Sequence, residues 1–435
     1  MKLSNYTFDL CLPEEGQVLI YNSLSNNLAV LETDEYAQLI ECKKGTMNIY
    51  NPELLNELIR GGFLIEDNVD ELKTIRLSLQ KERFRTDHLS ITIAPTLDCN
   101  FSCIYCYEQQ SKDSIYMNED VENAIVQFVK AKIKNISILN VTWYGGEPLL
   151  SVSSIQKLSE KIIEICDQND VNYSASVVTN GYFLTKKTWE ILRQGRVTHI
   201  QITVDGDRDI HDQRRCTENH EPTYDCILNN IQKLKKDIAP ISMRINIDKS
   251  NMGSIESLLD DICQRGLMDV VNPYLGKVDA GEGYYDQKIC LSDVEFFEFE
   301  RLFQRLLIKK GFHIDRFTKY PKRVFAHCAA DTYNSFVINA DGTLYACWED
   351  IGDQGKSIGN ILDGDATSNI SRYLDFMTFD PTIDSKCSLC KILPLCMGGC
   401  PVRRIRGAHT CSKYKWNLEE DLIDFAHNIM RNQSL

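Results

Sequence analysis

The chain has 435 residues, 43% of them apolar, with a formal charge of -14 at pH 7; at about 150 residues per domain it has room for about three domains with real cores. The acidic balance excludes a broad phosphate-binding surface and hence a nucleic-acid partner, while the absence of both a signal segment at Met1-Lys2-Leu3-Ser4-Asn5-Tyr6 and a run of about eighteen apolar residues predicts a cytoplasmic protein with no membrane partner. The 17 cysteines, odd in number and clustered at Cys99–Cys106 and again from Cys328 to Cys411, fit metal ligation better than a disulfide framework.

Gln17-Val18-Leu19-Ile20-Tyr21 and Asn27-Leu28-Ala29-Val30-Leu31 alternate as half-buried strands do, with a turn at Asn22-Ser23-Leu24-Ser25-Asn26. Thr33 caps a helix through Tyr36, Leu39 and Ile40, and Asn51-Pro52 opens a second with Leu54, Leu55 and Leu58 on one face. Gly61-Gly62 ends it, and Phe63-Leu64-Ile65 reads as a closing strand. The order reads as a winged-helix-like α+β domain over residues 1–70, followed by a charged helical linker over 71–88. It resembles the leader-recognition domain of enzymes that modify ribosomally made peptides. The resemblance implies a precursor peptide whose leader adds as an extra strand, edge N–H and C=O groups supplying affinity and side-chain pockets supplying choice. A DNA-binding winged helix has the same order, but between Ser4 and Ile65 only Lys43, Lys44 and Arg60 stand against nine Asp and Glu residues. A lid or a dimerisation domain is a further reading of these elements.

Residues 89–312 contain six strand-then-helix units. The strands are Leu89–Ala94, Ile138–Tyr144, Tyr173–Thr179, His199–Asp205, Ser242–Asp248 and Val270–Lys277; the helices lie near 119–133, 152–167, 185–194, 223–236, 254–265 and 291–310. Repeated βα units imply a parallel sheet, and six rather than eight a partial (βα)6 TIM-like barrel in an α/β chain. Reactive groups belong where such strands end in loops. The first strand ends at Asp98-Cys99-Asn100-Phe101-Ser102-Cys103-Ile104-Tyr105-Cys106-Tyr107, whose three thiols can hold three corners of an iron-sulfur cube, and no fourth cysteine follows until Cys166. An incompletely ligated cluster keeps an iron open to a small molecule; a three-cysteine zinc loop or a chance group of buried thiols is the other reading. Later strands end at Gly145-Gly146-Glu147-Pro148, at Thr179-Asn180-Gly181, and at Asp205-Gly206 running on to His211-Asp212 and Arg215. Arg244 and Asn246, two apart on the fifth strand, share its interior face. Each of these also has a plain structural reading as a turn, cap or internal ion pair.

The cysteine spacing, with aromatic Tyr105 before Cys106, resembles the radical S-adenosylmethionine (SAM) superfamily. The resemblance implies a [4Fe-4S] cluster on Cys99, Cys103 and Cys106 as the catalytic centre, with its open iron on the amino and carboxylate groups of SAM. Reductive cleavage of SAM to a 5′-deoxyadenosyl radical then follows, with a flavodoxin or ferredoxin as reductant. It puts Tyr105, Gly145, Gly146, Glu147, Thr179, Asp205 and Arg244 at SAM-holding positions.

Residues 313–435 carry Cys328, Cys347, Cys387, Cys390, Cys396, Cys400 and Cys411, with Asp341-Gly342 as a hairpin turn between Phe336-Val337-Ile338 and Leu344-Tyr345-Ala346. Order and spacing resemble the SPASM module, a loop-rich iron-sulfur domain; zinc ribbons are the alternative. The resemblance implies two auxiliary [4Fe-4S] clusters, three in all. One would sit on Cys328, Cys347 and Cys400, either open to a substrate thiolate or completed by a distant ligand such as Cys290. The other would sit on Cys387, Cys390, Cys396 and Cys411. The expected function is cross-linking of a precursor peptide, as a Cys thioether. Sulfatase maturation by formylglycine formation and a non-enzymatic electron-transfer protein are the rivals.

Overall fold

The computed structural model describes residues 1–12, 16–43, 49–108, 114–280, 285–313, 320–364, 367–408 and 410–433. The chain forms two compact units, one of residues 1–84, 315–332 and 376–435, the other of residues 85–314 and 333–375.

The first unit opens with β1 (Lys2–Leu3), β2 (Thr7–Leu12), β3 (Gln17–Asn22), β4 (Asn27–Glu32), α1 (Thr33–Lys43), α2 (Pro52–Arg60), β5 (Leu64–Ile65) and α3 (Glu71–Arg83). The expected hairpin is β3 and β4, and β2 adds antiparallel to the far side of β3. β2 was not expected, although Phe8-Asp9-Leu10 alternates as its partners do. β5 pairs with β1 rather than with the hairpin, which makes Lys2 and Leu3 part of the fold. The Asn51 side chain accepts the Glu53 N–H, Pro52 fills the first turn of α2, and Leu54 and Leu58 point into a core with Leu31, Leu39 and Phe63.

In the second unit, β6 (His88–Ile93), β7 (Ile138–Trp143), β8 (Asn172–Thr179), β9 (Val197–Thr203), β10 (Ile241–Ile247) and β11 (Val271–Lys277) are parallel neighbours in chain order. Between and after them come α4 (Glu119–Lys132), α5 (Val152–Gln168), α6 (Lys186–Gln194), α7 (Arg208–Arg214), α8 (Tyr224–Leu234), α9 (Ile255–Gln264) and α10 (Asp293–Lys310). This is the partial TIM-like barrel, with one extra short helix, α7. Burial strictly alternates along β7, β8 and β10, their apolar faces being covered by the helices.

The sheet does not stop at β6. β12 (Ser335–Ile338) runs parallel to it, and β13 (Thr343–Tyr345) and β14 (Gly359–Asn360) continue antiparallel, giving nine strands. Residues 333–375 therefore belong with the barrel, while the flanking parts of 313–435 belong to the first unit. The hairpin at Asp341-Gly342 forms as expected, with Gly342 at φ 85°.

The chain re-enters the first unit near the end of α11 (Ile370–Met377) and adds α12 (Leu393–Cys396), α13 (Pro401–Ile405) and α14 (Tyr414–Gln433). Leu10, Leu19 and Tyr21 from the N-terminal strands share one core with Ile392, Leu395, Leu418 and Leu422. Tyr6, Ile75 and Leu79 share another with Cys387, Leu393 and Met397. Arg83 at the end of α3 is buried against Asp331 and donates to the Met377 carbonyl at 3.1 Å. The two ends of the chain thus fold as one body because both supply side chains to the same apolar cores. Among the described residues no helix is long and apolar enough to cross a membrane.

Candidate active site

The six parallel strands bring their C-terminal ends to one rim. β6 leads through buried Thr96 and Leu97 into the three-cysteine loop, with Cys103 buried and Cys99 and Cys106 half-buried. That loop is held from two sides. On one, the Ser102 N–H donates to the Cys216 carbonyl at 2.9 Å and the Ile104 N–H to the Arg214 carbonyl at 3.1 Å, so the segment after α7 pairs with it like a strand. On the other, the Glu147 N–H donates to the Asp98 carbonyl at 2.8 Å and the Gly146 N–H to the Thr96 carbonyl at 3.3 Å.

The glycines after β7 serve that second contact. A Cβ on Gly146 would lie 2.3 Å from the Asp98 carbonyl oxygen, and one on Gly145, at φ 109°, 2.4 Å from that of Thr96. Their absent side chains admit the backbone of the cysteine loop. Glu147 is fully buried: its carboxylate accepts from the Thr179 hydroxyl at 2.7 Å, the Asn180 N–H at 2.7 Å and the Leu149 N–H at 2.9 Å. Burial raises it to about 6 against the pull of these hydrogen bonds. Glu147 and Thr179 thus brace the ends of β7 and β8 against each other. Asn180 extends the brace to the Asn100 side chain at 2.8 Å.

A buried polar network lies inside the barrel under the loop. The Tyr105 hydroxyl donates to Asp205 at 2.5 Å and accepts from Arg215 at 2.6 Å and from the Asn246 amide at 3.0 Å. Arg214 bridges Asp205 at 3.4 Å and Asp248 at 2.8 Å, all three essentially unexposed, with its guanidinium 5.1 Å from the Tyr105 ring centroid. Tyr285, following β11, donates to Asp248 at 2.8 Å and packs edge-on to the Tyr105 ring. Arg244 sits on the same interior face, its Nε donating to Asn246 at 2.7 Å. Gly276 of β11 makes room for it, since a Cβ there would lie 2.6 Å from that nitrogen.

His211 and Asp212 have structural work. The buried His211 ring accepts the Asp205 N–H at 3.2 Å and meets the Thr223 hydroxyl at 3.1 Å; burial, then Arg215 and Arg214, holds it neutral, well below its ordinary value. Asp212 accepts the Thr223 and Tyr224 N–H groups at 2.7 and 2.8 Å at the start of α8.

The thiol chemistry of the loop fits a cluster. Burial raises Cys99 and Cys103, and raises Cys106 to about 12, with neighbouring carboxylates and thiols also opposing ionisation in each case. Thiols that burial holds protonated ionise when a cation binds them, so Cys99, Cys103 and Cys106 would hold an iron-sulfur cluster as thiolates. Among the described residues no three His, Cys, Asp or Glu side chains gather as a single metal ion would require; cluster thiolates bind separate irons. Beside the loop, burial pushes the Glu108 carboxyl up to about 7 against hydrogen bonds from Tyr144 and Tyr107.

In the first unit, burial raises Cys396 to about 11, with Cys390, Cys387 and Cys411 also opposing its ionisation. Cys328 is likewise raised to about 11 by burial, with Cys400 contributing. Cys347 follows β13 in the barrel unit, where Cys290 donates to the Asp286 carbonyl at 3.6 Å within its own turn.

Of the network, Tyr105, Asp205, Arg215, Arg244 and Asn246 stood in motifs singled out from sequence, whereas Arg214, Asp248 and Tyr285 did not. Asp248 ends a strand already drawn and Arg214 adjoins Arg215, so both were within reach; Tyr285 carries no local signal.

Residues 93–262 match the Radical SAM superfamily. The chain is 22% identical over 319 residues to the serine-type anaerobic sulfatase-maturating enzyme of Klebsiella aerogenes, covering 70% of this chain and 77% of that one. Its fold is similar to that of the solved structure of native anSMEcpe with bound AdoMet and Cp18Cys peptide, with TM-score 0.58 and 18% identity, over 79% of this chain and 98% of that one. It is also similar to Streptococcus suis SuiB bound to precursor peptide SuiA, with TM-score 0.53 and 15% identity, over 93% and 96%.

Proposed function

Because residues 93–262 are a radical SAM domain and the chain is a radical SAM enzyme related to peptide-modifying ones, we propose that it matures a ribosomally made precursor peptide by abstracting hydrogen and closing a Cys thioether. The cofactor set in this reading is SAM with three [4Fe-4S] clusters, one on Cys99, Cys103 and Cys106 and two on the later cysteines, fed by a flavodoxin or ferredoxin. When bound, the first cluster and SAM supply a 5′-deoxyadenosyl radical.

The protein's own residues hold and shield. The Glu147–Thr179 brace and the two flanking backbone pairings fix the cysteine loop; Tyr105, Asp205, Arg215 and Asn246 lock it from within the barrel. Such preorganisation keeps reacting atoms within reach and water out. Arg244, with its guanidinium on the interior face, is the carboxylate partner in this reading.

The observation that carries the choice of substrate is the outer edge of β4. It pairs only with β3 among the described residues, and a groove of about 500 Å³ runs between it and α2. A leader strand added there would meet the outward backbone groups of β4, of which the Glu32 N–H is taken by the Glu35 carboxylate at 3.0 Å, and an apolar floor. The similarity to SuiB, solved with a precursor peptide, supports the reading, because its 93% span leaves about 30 residues, too few to omit segment 1–88.

Sulfatase maturation stands as a second reading on the identity to the Klebsiella enzyme. One experiment separates them: anaerobic co-expression with a short cysteine-containing peptide encoded beside this gene, then intact mass and fragmentation. Loss of two hydrogens per link, abolished by Cys103→Ala, supports cross-linking. An unchanged peptide mass with SAM still cleaved, together with formylglycine formation in a sulfatase-derived peptide, moves the function to the second reading.

A further inference from the structure

Resting on the reading of β4 as the docking edge for a peptide, we propose that this groove selects a basic strand, one that seats an apolar side chain and carries Lys or Arg beside it. β4 is registered to β3 along its whole length, from Gln17↔Glu32 to Asn22↔Asn27, and the three-stranded sheet ends there. The groove floor is apolar, with Leu31, Leu54, Leu58 and Phe63 drawn from the core beneath. Among the described residues its charged lining is almost of one sign: Glu35, Glu53 and Glu57 against Arg60, which is already paired with Glu57 at 2.9 Å.

Spacing makes this lining legible to a strand. Glu53 and Glu57 are one turn apart on α2, about 6 Å along its axis, and alternate residues of a strand repeat at about 6.6 Å. A strand lying between β4 and α2 can therefore turn apolar side chains down while two successive outward side chains face the two carboxylates. Lys or Arg there is drawn in and Glu or Asp is repelled; single-sign charge on an open edge both recruits and excludes.

The test uses the full-length, cluster-reconstituted protein under anaerobic conditions, with fluorescein-labelled ten-residue peptides of the same alternating Leu and Val. The intervening positions are Lys in one peptide, Gln in the second and Glu in the third. Anisotropy should give the Lys peptide about tenfold tighter binding than the Glu peptide near 0.05 M salt, the order expected of two or three exposed charge pairs, with the ratio approaching one near 0.5 M. The double variant Glu53→Gln, Glu57→Gln, both exposed on α2, should cut that ratio below about threefold and leave the Gln peptide's affinity unchanged. Equal affinities for the Lys and Glu peptides overturn the charge selection and leave docking standing. A ratio that survives the double variant belongs to the overall charge of -14 and overturns the proposal as well. If no peptide binds, the docking reading itself fails.

Discussion

Replacing Arg214 with Met tests whether the buried network holds the barrel rim together. The substitution keeps most of the side-chain volume and removes the cation that lies between Asp205 and Asp248, both at 0% exposure. Removing one partner of a buried ion pair costs about 3–5 kcal/mol, because the abandoned charge must stay desolvated or take up a proton. For a unit of this size that is about 2 °C per kcal/mol, so calorimetry should show the transition falling by roughly 6–10 °C at pH 7. Arg208→Met is the control: its pair with Asp225 is half exposed, and a shift within about 2 °C is expected. The pH dependence has a definite sign. Burial pushes the Asp248 carboxyl up, but the Ser250 hydrogen bond and the Arg214 charge outweigh it and hold it below its ordinary value of 3.8. A depressed carboxyl stabilises fully above its unfolded value and loses that contribution as pH falls through the folded one. The gap between wild type and Arg214→Met should therefore be widest near pH 7 and narrow below about pH 4. An Arg214→Met transition within about 2 °C of wild type, or no larger than the Arg208→Met shift, would refute the reasoning.

Gly146→Ala places a methyl against the Asp98 and Leu97 carbonyls and must push the cysteine loop away from the end of β7; reconstituted protein should bind less iron and lose most of its SAM cleavage while far-ultraviolet circular dichroism stays unchanged. Gly276→Ala instead crowds Arg244, so SAM binding by equilibrium dialysis should weaken about tenfold with iron content unaltered. Arg83→Met strands buried Asp331, whose carboxyl burial already raises; a loss of about 3–5 kcal/mol is expected in urea titrations, growing as pH rises from about 4 because the abandoned carboxyl is then forced to ionise.

Several features were determined by the sequence alone. The βα alternation carries all six barrel strands, since a period of two in β7, β8 and β10 and a helical period between them depend only on neighbouring residues. The cysteine loop and the Gly145-Gly146-Glu147 turn fall at strand ends by the same local logic. Tertiary structure decided what depends on residues far apart in the chain. The pairing of β12 with β6 moves residues 333–375 into the barrel unit, and no feature of either strand names its partner. The shared cores of Tyr21 with Leu422 and of Tyr6 with Leu393 join the two ends of the chain into one unit, because an apolar face specifies burial but not what covers it. The reason for the two glycines after β7 was hidden in the same way: φ tolerance is a property of the residue, but the backbone that crowds Gly146 lies some fifty residues earlier, at Asp98. Arg214 and Asp248 look like ordinary polar residues until folding removes them from water, where a charge persists only if another meets it.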